Sequence, residues 1–147
     1  MQIFENSLDR NNNLQDKDIQ PNKFIIVFVD RTECFYIRWL KRGFRHCFVI
    51  IQYDDHLIIC DPLKNKIEIS SINIINQFDI CQFYHRIGHN VLVGDFIISG
   101  KFRFSMPEII TCVVTVKRII GLRKLRVITP WQLFKYLKKN NSYSTLL

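Results

Sequence analysis

The chain has 147 residues and a mass of 17.6 kDa, with 48% hydrophobic and 23% charged residues, which suits one domain with a sizeable core and excludes wholesale disorder. Its net charge of +8 is concentrated: residues 109–147 carry 8 Lys and Arg and no acid, whereas residues 1–108 balance 13 against 13. The longest apolar runs, such as FIIVFV at Phe24 to Val29, fall far short of the ~20 residues that cross a bilayer.

Residues 1–22 are rich in Asn, Asp and Gln and lack the apolar periodicity that offsets ordering entropy, so they read as a flexible arm. They also lack the basic end and apolar middle of an export signal, which points to a cytoplasmic protein. Five cysteines at wide, irregular spacing fit reduced thiols better than a disulfide framework. One domain is expected over 23–139, followed by a tail at 140–147.

From Lys23 the pattern becomes strand-like. FIIVFV predicts a strand, and CFYIRWL at Cys34 to Leu40 a second one paired with it as a hairpin. FRHCFVIIQY, Phe44 to Tyr53, is apolar on both faces and predicts a central strand. A turn at Asp54 and Asp55 returns the chain as HLIICDP, and KIEIS at Lys66 to Ser70 extends the meander. Residues 71–86 read as weakly helical, and VLVGDFIIS at Val91 to Ser99 as a strand interrupted by Gly94. Thr129, Pro130 and Gln132 then supply the N-cap, N1 and N3 residues of a helix running to about Lys139. Trp131, Phe134 and Leu137 are its inward side.

TCVVTVKRIIG, Thr111 to Gly121, is punctuated as a short helix, with Thr111 as N-cap and Gly121 past the end. The β-branched run Val113 to Val116 makes a strand the competing reading. As a helix, it sets Cys112 at the positive pole, where backbone N–H groups favour a thiolate and an oxyanion. The plain alternative is a small buried hydrophobe. A nucleophilic thiol needs a base, and His46 sits in an otherwise apolar strand. A two-residue turn at 54–55 pairs Tyr53 with His56 and, further along, Phe48 with Asp61. Asp61 then shares the face of His46 and lies diagonal to it, within reach of the imidazole. A slip of one residue would remove that pairing.

A His on a strand, an acid on the next strand and a Cys opening a later helix resemble the circularly permuted papain-like fold, related to NlpC/P60 peptidases. GFRHCF at Gly43 to Phe48, CDP at Cys60 to Pro62, VKRIIGLR at Val116 to Arg123 and ITPWQLFKYL at Ile128 to Leu137 resemble a group of small bacterial and phage-associated proteins. The likeness covers most of 36–139. It implies an α+β papain-like domain with Cys112 as nucleophile, His46 as general base and Asp61 as the orienting carboxylate. It further implies a thiol hydrolase or acyltransferase acting on an amide, a cell-wall peptide among the expected substrates, with a phage-type route giving access to the wall. No cofactor or metal is called for. Val113 stands where related sequences often carry a polar or acidic residue beside the Cys.

Two other readings compete. Cys81, His85 and His89 recur in steps of four and would align on one helix face for zinc, though without a fourth ligand. Alternatively, Lys117, Arg118, Arg123, Lys124, Arg126, Lys135, Lys138 and Lys139 form a phosphate- or nucleic-acid-binding end. A non-catalytic phage-type structural component that keeps the papain-like shape is a further variant. Thiol chemistry would depend on pH and be lost on alkylation, whereas phosphate binding would weaken with salt.

Overall fold

Strand β1 (Lys23–Val29) is buried at every position from Phe24 onward, so it needs a neighbour on each edge and a layer on each face. The edges are taken by β2 (His46–Tyr53) and β5 (Asn90–Gly94), with Val27 opposite both Phe48 and Val91. β3 (His56–Pro62) and β4 (Ile67–Asn73) continue outward from β2, and β6 (Tyr143–Thr145) closes the other side on β5. The sheet is antiparallel throughout, in the order β4-β3-β2-β1-β5-β6. This computed structural model describes residues 23–31, 35–53, 56–73, 79–95, 111–140 and 143–145. The arm expected at 1–22, the turn at Asp54 and Asp55, and residues 96–99 of the strand expected over Val91 to Ser99 lie outside them.

Strand alternation divides the apolar side chains into two layers. Phe24, Ile26, Phe28, Cys47, Val49, Cys60 and Leu92 form one, covered by helices α2 (Cys112–Ile119) and α3 (Pro130–Lys139). Ile25, Val27, Val29, Phe48, Ile50, Leu57 and Val91 form the other, against which Ile80, Cys81 and Tyr84 of the short helix α1 (Ile80–Arg86) pack. The protein is therefore α+β, as expected.

Each helix begins where the sequence supplies a cap. The Thr111 hydroxyl accepts a hydrogen bond from the Val114 N–H at 3.3 Å, and Gly121 takes the positive φ of 75° that lets the chain leave the helix. The β-branched residues 113–116 stay helical because Val113 and Val116 are wholly buried on the sheet, and packing overrides their small propensity cost. On α3 the capping box is complete: Thr129 accepts from the Gln132 N–H at 3.3 Å, and the Gln132 side chain accepts from the Thr129 N–H at 3.2 Å. Phe134 and Leu137 are buried as expected, joined by Leu133, while Trp131 stacks on Phe134 at an interplanar angle of 15°.

Four expectations are corrected. Phe35–Trp39 is a 3-10 turn and not a strand; the place beside β1 goes to β2, whose first five residues are all buried, whereas Trp39 is 91% exposed. Cys34 lies outside the described residues. Within 71–86, β4 runs on to Asn73, and the helix begins only at Ile80, where the Asp79 carboxylate accepts from the N–H groups of Cys81 and Gln82. The tail at 140–147 contributes β6 to the sheet. Lys117, read as part of a phosphate-binding basic end, is 3% exposed, and its Nζ donates to the carbonyls of Lys124 and Val127 at 2.9 and 3.0 Å. Among the described residues no helix is long and apolar enough to cross a membrane.

Candidate active site

The register foreseen for the second hairpin is the one formed. β2 and β3 pair from Tyr53↔His56 to Val49↔Cys60, and one more step sets Asp61 opposite Phe48, diagonal to His46. There the imidazole Nε2 meets the Asp61 carboxylate at 2.6 Å. The other oxygen of Asp61 accepts from the Arg31 guanidinium at 2.9 Å, just beyond the end of β1. Asp61 is thereby held from both sides. Burial opposes its charge, but the hydrogen bonds and charges of His46 and Arg31 outweigh burial and keep its carboxyl below the usual range.

Cys112 approaches from the opposite side of the sheet. As the first residue of α2 it packs against the layer that contains Cys47, near enough to His46 and Cys47 for both to govern its ionisation. This is compatible with strand alternation because His46 opens β2, where a side chain at the end of the sheet can be met from either face. With Nε2 engaged by Asp61, Nδ1 is the nitrogen left for the sulfur.

The electrostatics of the pair are mutual. For Cys112 the Cys47 thiol is the largest influence, donating to the sulfur; burial opposes, and the His46 hydrogen bond and charge then add to a thiol lowered to about 5. The Cys47 backbone N–H also donates to it. For His46, burial works against the charged ring, but hydrogen bonds to Asp61 and Cys112 prevail and raise it to about 9. Cys47 itself is pushed well up, first by burial and then by the neighbouring sulfur. A thiolate and an imidazolium thus coexist across neutral pH, as one coupled pair.

Cys112, His46 and Asp61, picked out in the sequence, are therefore brought together. Arg31 and Cys47 were missed. Arg31 belongs to a turn-like DRTE stretch, and only the three-dimensional meeting of β1 and β3 gives it a role. Cys47 had a usable signal, since alternation on β2 turns it away from His46, toward the face that α2 covers. The zinc reading is not supported: α1 ends at Arg86, the chain turns at Gly88 with φ 86°, and His89 lies beyond the helix. No metal-binding group of three or more His, Cys, Asp or Glu occurs among the described residues. Lys117, inward and capped by carbonyls, is unavailable to a phosphate.

The Asp61–His46 bond has a direct consequence. Asp61→Asn keeps an oxygen for the Nε2–H but removes the charge, so His46 is expected to titrate well below about 9, toward the ordinary 6.5. NMR titration of the imidazole protons reads this; a His46 titration identical in the two proteins would refute the coupling.

A cleft of about 500 Å³ opens beside this carboxylate, lined by Val29, Arg31, Phe48, Ile59, Asp61 and Tyr84, among others. A scan against protein-family models and searches of curated proteins and of solved structures each find no match to this chain.

Proposed function

We propose that this chain is a thiol hydrolase or acyltransferase of papain-like type, with the circular order in which base and acid precede the nucleophile. Cys112 is its nucleophile, His46 its general acid and base, and Asp61 the residue that orients the ring. The observation carrying this reading is that the imidazole bonded to Asp61 at 2.6 Å also lies beside a sulfur at the first position of a capped helix, each shifting the ionisation of the other. A buried histidine serving packing alone needs no thiol at a helix N-terminus on its second nitrogen.

The chemistry follows from the charges. The Cys112 thiolate attacks an acyl carbon, and the resulting oxyanion develops near the N-terminal N–H groups of α2, which have no intrahelical acceptor. The His46 imidazolium protonates the leaving group, breaking the C–N or C–O bond and leaving an acyl group on sulfur. Neutral His46 then takes a proton from water or another acceptor, whose attack releases the acyl group and restores the thiolate. Asp61 holds the ring through both steps, and Arg31 holds Asp61. Peptide amides are the proposed substrate class, with cell-wall peptides reached by a phage-type route and the protein otherwise cytoplasmic.

The reading is tested with p-nitrophenyl acetate, an activated ester that asks little of substrate recognition. The expected result is a burst of nitrophenolate close to one equivalent per chain, with the acetyl group mapped to Cys112 by peptide mass spectrometry. Acetylation scattered over lysines and other cysteines, with none on Cys112, would end the proposal.

A further inference from the structure

Cys47 takes no bond-making part in the acyl chemistry, yet its sulfur is the partner nearest in effect to the nucleophile. It is wholly buried, at 0% exposure, on the face of β2 that α2 covers. Cys112 is partly exposed and packs on that same layer. The two side chains meet in one packed layer, close enough that each shifts the ionisation of the other. Both are free thiols, as are Cys60 and Cys81. The pair thus consists of an outer, partly exposed cysteine and an inner one that solvent does not reach. We propose that Cys47 and Cys112 form a reversible disulfide when the protein meets a hydroperoxide, with Cys112 as the sulfur attacked first and Cys47 as the resolving thiol.

The order of events follows from access and charge. The Cys112 thiolate attacks the terminal oxygen of the hydroperoxide and the O–O bond breaks. The departing alkoxide or hydroxide takes a proton from the His46 imidazolium. Cys112 is oxidised to the sulfenic acid while the peroxide is reduced to an alcohol or water. The Cys47 sulfur then attacks the Cys112 sulfur, the S–O bond breaks, and hydroxide leaves with the Cys47 proton as water. Two thiols and one hydroperoxide give one disulfide, one alcohol or water, and one water. The disulfide withdraws the nucleophile from acyl chemistry and also shields it from further oxidation, because sulfinic acid forms only from a sulfenic acid that finds no thiol in time. Reduction by a small dithiol restores the site.

This inference rests on Cys112 being the reactive thiolate of the proposed function, and the test separates the two. The full chain is treated with one to a few equivalents, roughly, of hydrogen peroxide, alkylated with iodoacetamide, digested and mapped by mass spectrometry. The expected product is a peptide pair joined through Cys47 and Cys112, lost on dithiothreitol treatment with return of Cys112 alkylation. In Cys47→Ala, the expected product is sulfinic acid on Cys112, which dithiothreitol does not reverse. Cys112 that alkylates rapidly before treatment but accumulates sulfinic acid in the wild type, with Cys47 still a thiol, overturns the disulfide and leaves the nucleophile assignment standing. Cys112 that alkylates no faster than Cys60 or Cys81 before treatment and forms no disulfide overturns both. The wild-type map decides the question even where Cys47→Ala folds poorly.

Discussion

His46→Ala is expected to lower the rate at which iodoacetamide labels Cys112 at pH 6 by about tenfold or more, while Cys60 and Cys81 keep their rates. In the wild type the Cys112 thiol is lowered to about 5, so most of it is thiolate one pH unit higher. An ordinary thiol titrating near ~8.5 is thiolate to well under ~1% at that pH. Removing the imidazole takes away both a hydrogen bond and a positive charge, whereas the Cys47 thiol and backbone N–H remain. The variant's thiol therefore rises part of the way, and a value near ~7 already gives the tenfold loss. The pH profile carries the sign: labelling of wild-type Cys112 climbs through about 5, and the climb of the variant moves to higher pH. Cys60 and Cys81 are both raised by burial, so neither has a comparable acidic limb. Superimposable profiles for Cys112 with and without His46 would remove the base from the proposed mechanism.

Lys117→Met is expected to destabilise the fold by about 2–4 kcal/mol, the second large effect, through groups that the proposed chemistry does not use. The methionine keeps the apolar stem packed under α2, but the carbonyls of Lys124 and Val127 lose the ammonium that reaches them at 2.9 and 3.0 Å. Buried acceptors without a donor bear the full desolvation cost, and this pair anchors the segment between α2 and α3. Arg118→Met, at the exposed neighbouring position, is the control and is expected to shift stability by less than about 0.5 kcal/mol. Urea unfolding of the two variants compares them directly; equal midpoints would mean that the buried ammonium contributes nothing.

Much of this architecture was legible because the decisive signals are local. The meander from Phe44 to Ser70 follows from apolar runs punctuated by short turns, and its register followed from the length of a single turn, which is why Asp61 was found next to His46. The two helices were marked by Thr111 and Thr129, hydroxyls whose capping bonds need no tertiary information. What escaped depends on competition between distant segments. CFYIRWL has strand composition, but β1 has only two edges, and the more apolar β2 and β5 occupy them. Lys117 has the sequence neighbours of a surface cation; only the path of residues 124–127 turns carbonyls toward it. Tyr143 to Thr145 are too few to announce a strand and pair because β5 presents a ladder. At the site, three residues were readable from type and spacing, whereas Arg31 and Cys47 emerged from how the sheet ends meet.

His46 and Asp61 lie 15 positions apart on one hairpin, whereas Cys112 belongs to a helix encoded much later in the chain. During synthesis on the ribosome, both members of that pair are translated long before residue 112. Until α2 seats on the sheet, Cys112 has neither the imidazole nor the Cys47 amide beside it and behaves as a common thiol. A chain in which α2 has not yet docked therefore carries no acidic thiol at this position, and the onset of acid-pH alkylation becomes a clock for that docking.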